Sequence, residues 1–218
     1  MNKCCRLICI AVVWLLGCSL TDDCPPGINT LPMYGRAKKC GAQIESDRIF
    51  LKQCDRGFKN RKEAAKHFVK RGWEYYYKRI PDTAMMRFNQ AWLLDSLNAD
   101  VYWGFANLTG TQGKLKESLP LFNRSIALNP ANAKVWESAS NSYGELFYKT
   151  KDVNYLNTAV KYLKRAVKLN PSPSTYATLT AAYTYFAQKD SAKKYLKITD
   201  GLDKNAVNPE VRKMITGQ

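Results

Sequence analysis

Histidine is nearly absent from this chain: one residue, His67, stands among 218. A single imidazole set beside aromatic residues all but excludes Ser/His/Asp triads and multi-histidine metal sites, and His67 itself reads as structural. No stretch shows convincing strand alternation, so no glycine-rich phosphate loop can follow a strand. Acids are also scarce, 18 against 34 lysines and arginines, which leaves a formal charge of +16. No enzyme, cofactor or metal is expected. Apolar material is plentiful, 45% of residues with 12% aromatic, enough to bury a core.

The first 17 residues stand apart. Lys3 and Arg6 form a charged leader, and Leu7 to Leu16 an apolar run too short for the roughly 20 residues that cross a bilayer as a helix. This is the pattern of an export signal. Its end, Leu15-Leu16-Gly17-Cys18, resembles the lipobox of bacterial lipoproteins. The resemblance implies cleavage before Cys18 and acylation of that residue, and several acyl chains make a near-permanent tether where one is marginal. Ser19 after the cysteine implies the outer membrane in the enterobacterial sorting scheme, and Asp22 and Asp23 are similar to the acidic export signal of some surface lipoproteins. The plainer alternatives are an ordinary cleaved signal or an uncleaved anchor. Loss of residues 1–17 removes Lys3 and Arg6 and no acid, so the charge falls only from +16 to +14. Export argues against nucleic acid as a partner and turns attention to anionic envelope material or acidic protein surfaces.

Past the signal and Cys18, three cysteines remain, Cys24, Cys40 and Cys54, in a compartment that permits disulfides. The favoured pairing is Cys40 with Cys54, closing a short loop and contributing about 3 kcal/mol if unstrained; three reduced thiols are the alternative. Residues 18–41, with Pro25, Pro26, Gly27, Pro32 and Gly35, read as an extended tether. Residues 42–64 carry Ile44, Phe50 and Leu51 at helical spacing and read as a cap over the segment that begins at residue 65.

That segment is repetitive. At offsets of about 34 residues, Phe68 maps to Tyr102 and Trp136, Phe88 to Phe122, and Ser96 to Pro130. Small residues such as Ala84, Ala91 and Ala106 let paired helices approach closely, while Phe88, Phe122 and Trp136 fill the space between pairs. On Phe68, Gly72, Tyr75, Ala84 and Phe88, then Tyr102, Ala106, Phe122 and Pro130, then Trp136, Ala139, Tyr143, Ala159, Leu163 and Pro171, the chain resembles tetratricopeptide repeat (TPR) proteins. The resemblance implies an all-α solenoid of antiparallel helix pairs wound as a right-handed superhelix, in units 65–98, 99–132, 133–172 and a degenerate 173–206. A terminal helix within 207–218 would cover the last unit. The third unit carries seven extra residues between Tyr143 and Ala159, expected as a longer first helix and a longer turn around 149–154. Pro120, inside a second helix, should bend it or forfeit a backbone bond.

In the resembled family the first helix of each unit lines a concave groove. The matching positions here are Val69, Trp73, Tyr76 and Tyr77, then Trp103 and Asn107, then Glu137 and Asn141. A carboxylate clamp known in that family needs a lysine where Trp103 stands and an asparagine where Ser138 stands. The groove is therefore expected to hold a protein or peptide segment through its aromatics, with asparagines bonding the ligand backbone. The expectation is a lipid-anchored, non-enzymatic adaptor at the bacterial envelope; the alternative is a basic module for anionic glycan or lipid head groups.

Overall fold

The computed structural model describes residues 23–186 and 188–217; Cys18 and the export signal lie outside the described residues. Two 3₁₀ turns, Ile28–Thr30 and Pro32–Arg36, precede ten helices: α1 Gly41–Gly57, α2 Arg61–Tyr77, α3 Pro81–Leu94, α4 Ala99–Thr111, α5 Leu115–Leu128, α6 Ala133–Thr150, α7 Val153–Leu169, α8 Pro173–Tyr185, α9 Lys189–Leu202 and α10 Pro209–Thr216. There is no strand among the described residues. Helices α2 to α9 form four consecutive antiparallel pairs, each packed on the next. The all-α solenoid expected from the repeats is what the chain adopts.

Local chemistry sets the boundaries. Side chains of Asn60, Asn98, Asn132, Asp152, Ser172 and Asn208 each accept a hydrogen bond from a backbone N–H in the first turn of α2, α4, α6, α7, α8 and α10. Those N–H groups have no partner within the helix, so each cap is worth about 1 kcal/mol. Helix α5 runs on through Pro120, which withholds the N–H that the Lys116 carbonyl would otherwise accept.

The repeat is visible in matching bonds. The Tyr102 hydroxyl donates to the Ser96 carbonyl at 3.0 Å, and one unit later the Trp136 indole N–H donates to the Pro130 carbonyl at 3.0 Å. Phe88, fully buried, occupies a slot between α2 and α4. A Cβ added to Gly72 would lie 2.6 Å from its ring, and one added to Gly104 only 2.4 Å. Two glycines thus clear the space for one phenyl group, whose burial stabilises by about 1.5–3 kcal/mol.

The extra residues of the third unit enter its helices, not its turn. Helix α6 has 18 residues against 13 in α4, α7 has 17 against 14 in α5, and the turn between them is only Lys151 and Asp152. Lengthening both helices by about a turn preserves the 3.6-residue period that keeps Leu156, Ala159 and Leu163 buried. The longer turn expected around 149–154 is thereby corrected.

Two N-terminal expectations are also corrected. The disulfide joins Cys24 to Cys40, with Cα atoms 5.0 Å apart, and Cys54 is a free, buried thiol. Cys40 is the N-cap of α1 and Cys54 lies near its other end; at 1.5 Å per residue that separates them by about 20 Å, far beyond disulfide reach. Cys54 instead packs with Ala64, Ala65 and Leu94, against Phe50, Phe58 and Phe68, so α1 does cover the first pair. Desolvation raises its pKa, which keeps the thiol protonated and inert.

Nor is the segment after Asp23 an extended tether. Asn89 of α3, fully buried, donates through Nδ2 to the carbonyls of Asn29 at 2.9 Å and Leu31 at 2.8 Å, and its Oδ1 accepts the Tyr34 N–H at 3.3 Å. Tyr34 is buried against Trp92, with the Lys39 ammonium 3.3 Å from its ring centroid. Met33, Tyr34 and Arg36 all take positive φ near 55°, a conformation held by these contacts. At the other end α10 brings Val211 onto Leu196 and Val207, with Ala177 and Ala181 of α8 beside them, and Arg212 pairs with Asp200 of α9.

Candidate functional site

Successive first helices meet directly, α2 with α4 and α4 with α6. Their shared face carries most of the groove residues named from the sequence. Trp73 is the hub of its N-terminal half: its ring centroid lies 4.4 Å from Trp103, 5.2 Å from Tyr76, 5.4 Å from Phe88 and 6.1 Å from Tyr77. Tyr77 is 75% exposed at the rim. Burial, and secondly the neighbouring Tyr77, raise the pKa of Tyr76, so its hydroxyl remains a donor at neutral pH.

These residues are largely committed to one another. The Trp103 indole N–H donates to Ser138 Oγ at 3.0 Å, tying α4 to α6 across the gap between them. Asn107 donates to the Trp103 carbonyl at 2.8 Å, a bond within its own helix. Glu137 accepts from Thr175 Oγ1 at 3.2 Å and from Ser174 Oγ at 3.5 Å, joining α6 to α8. Val69 is buried in the core of the first pair and offers no surface to a ligand, which corrects its place in the groove. His67 is exposed, edge-on to Phe68 and near Phe58, outside this face.

Two hollows remain, on either side of the Trp103–Ser138 closure. One of about 520 Å³ lies at the turn end of α2 and α4, bordered by Tyr76, Tyr77, Pro81 and Leu108. The other, about 570 Å³, lies between α6 and α8. Its floor is apolar, Leu156, Ala159 and Leu163 of α7, and its walls are Asn141, Gly144 and Phe147 on one side and Thr178, Ala181 and Tyr185 on the other. Tyr148 and Tyr185 stand at the rim, 74% and 59% exposed, with the Lys151 ammonium 4.4 Å from the Tyr148 ring centroid.

Of the sequence-selected residues only Asn141 reaches this second cleft. Tyr148, which bounds it, stands in the added part of α6, and Tyr185 in the degenerate unit, where no motif marks a groove position. Two exposed tyrosines at the C-terminal ends of neighbouring first helices were the available signal. Two of the inner helices are almost uncharged: α8 has no charged residue, and α4 carries only Asp100, whose carboxyl pKa is raised by burial, whereas α6 carries Lys134, Glu137, Glu145 and Lys149. No three metal-binding side chains converge among the described residues.

No family model matches the chain, and no curated protein matches it. Solved structures do. The chain is similar to pilF of Pseudomonas aeruginosa at TM-score 0.60, with 20% identity, covering 71% of this chain and 67% of that one. It is also similar to YrrB, described as a TPR protein with an unusual peptide-binding site, at TM-score 0.59, with 18% identity and coverage of 76% and 79%. A thermophilic TPR protein of Thermus thermophilus aligns at TM-score 0.57, with 20% identity and coverage of 69% and 79%. At these identities the likeness establishes the fold, a tetratricopeptide-type α-solenoid.

Proposed function

We propose that this chain is a non-enzymatic adaptor, anchored by lipid at Cys18 to the bacterial envelope, that holds an uncharged protein segment on the inner face of its first helices. The observation that carries this reading is the α6–α8 cleft: an apolar floor between two exposed tyrosines, with one wall, α8, free of charged residues. Such a site rewards an aliphatic or aromatic anchor and offers a charged one no partner beyond the rim pair Glu145 and Lys151. YrrB, with its peptide-binding site on the same fold, supports a peptide as the class of ligand.

Affinity capture of the detergent-extracted protein tests the reading. A partner recovered with wild type and lost with Tyr148→Ala/Tyr185→Ala supports it; the same proteins recovered with both forms contradict it. Mass measurement of the N-terminal peptide tests the anchor separately: the account expects an acylated Cys18, and an unmodified Cys18 would remove the membrane from it.

A further inference from the structure

The second helices of the last two pairs carry a run of positive charge with few acids beside it. Helix α7 carries Lys161, Lys164, Arg165 and Lys168, and α9 carries Lys189, Lys193, Lys194 and Lys197, none of them buried. Between Asp152 and Asp190 the chain has no carboxylate side chain at all. Each of the six ion pairs among the described residues involves other cations. The acids on α9 are Asp190, next to Lys189 and one turn before Lys193 and Lys194, and Asp200, one turn after Lys197 and paired with Arg212.

Side-chain stacking joins the two rows into one surface. The Lys164 ammonium lies 5.6 Å from the Tyr183 ring centroid, Tyr183 stacks on Tyr195 at 5.3 Å with planes 6° apart, and the Lys194 ammonium lies 5.8 Å from the Tyr195 ring. The Tyr183 hydroxyl beside Lys164 also holds that ammonium's pKa above the ordinary lysine value. Like charges three and four residues apart destabilise an isolated helix, and among the described residues no α7 cation forms an ion pair with a carboxylate.

We infer that the α7–α9 ridge binds the anionic head groups of a lipid bilayer. Seven of its eight cations are lysines, point charges without the forked geometry that singles out one carboxylate or phosphate. Spread along two helices, they suit an extended anionic surface better than a discrete anion. The preference for a bilayer over a soluble polyanion rests on the anchoring proposed above, which would hold the solenoid beside a membrane. A solenoid lying on its basic back would keep the α6–α8 cleft free for protein.

The test uses residues 19–218, which retain every described residue but lack Cys18, so that its outcome is independent of acylation. Sedimentation should show binding to vesicles containing phosphatidylglycerol, none to pure phosphatidylcholine vesicles, and loss of binding at high salt. Replacement of three cations, Lys161→Glu, Arg165→Glu and Lys197→Glu, should weaken vesicle binding by at least about a hundredfold with helical circular dichroism unchanged. If the charge reversals unfold the chain, the same three positions changed to glutamine should still weaken binding measurably. Equal binding to both vesicle types, or unchanged binding by the folded variant, overturns the inference. So does binding to heparin without binding to vesicles.

Discussion

The two halves of the solenoid solve the same packing problem in opposite ways. Between α2 and α4 the chain uses glycine and phenylalanine: Gly72 and Gly104 press against Phe88, and the Trp73 and Trp103 rings meet at 4.4 Å, which leaves the hollow there confined to the turn end of the two helices. Between α6 and α8 it uses small residues, Ser140, Gly144, Ala181 and Ala182, and an open cleft survives over α7. A glycine in each half shows the contrast, since a Cβ at Gly104 meets Phe88 at 2.4 Å whereas one at Gly144 meets nothing within 4 Å.

The ends differ as well. The N-terminal end is closed covalently by Cys24–Cys40, the C-terminal end by the Arg212–Asp200 pair and a small apolar contact. The largest effect expected is therefore from Cys24→Ser, about 3 kcal/mol lost for a loop of this size, seen as a lower denaturation midpoint in non-reducing buffer. A midpoint that does not move would mean the segment is held by Asn89 alone. Asn89→Ala should follow at about 2 kcal/mol, with new proteolytic cleavage within residues 28–36.

Gly104→Ala should cost about 1–3 kcal/mol by overpacking against Phe88. Gly144→Ala should instead stabilise by about 0.5–1 kcal/mol, because it removes a mid-helix glycine without a clash. Opposite shifts in melting temperature from these two variants sharpen the contrast between halves; shifts of one sign break it. The smallest effect concerns acid. Arg212, by its hydrogen bond, holds the Asp200 pKa below the ordinary carboxylate value. A group depressed in the folded state stabilises above its unfolded pKa and loses that contribution as pH falls through its folded value. Exchange protection of α10 should thus drop below about pH 4 in wild type. Asp200→Asn should abolish this dependence at a cost under about 1 kcal/mol.

Much of the fold was legible because a solenoid repeats its packing, and packing constrains residue size. Phe88 with Phe122, and Tyr102 with Trp136, could be matched across units before any geometry was known. A helix from residue 42 already separates Cys54 from Cys40, but the pairing of Cys24 with Cys40 depends on the segment before α1 folding back onto α3, which no pattern in the residues shows. The seven extra residues were located correctly but given partly to a turn; a helix pair accommodates them better by growing at both members. The candidate site was legible as an inner face and illegible in detail. Trp103 was placed on that face, but its bond to Ser138 needs the distance between α4 and α6, and the α6–α8 cleft needs the separation of helices whose signature residues are weakest.

The central claim is that the inner face of the last two units, and not the aromatic cluster or the basic back, receives a protein partner. Photo-crosslinking in living cells from three positions tests it most directly: 148 at the cleft, 103 in the closed cluster, and 165 on the ridge. The account predicts a discrete protein adduct from 148, little from 103 and no matching adduct from 165. The same adduct from 165, or none from 148, would contradict it.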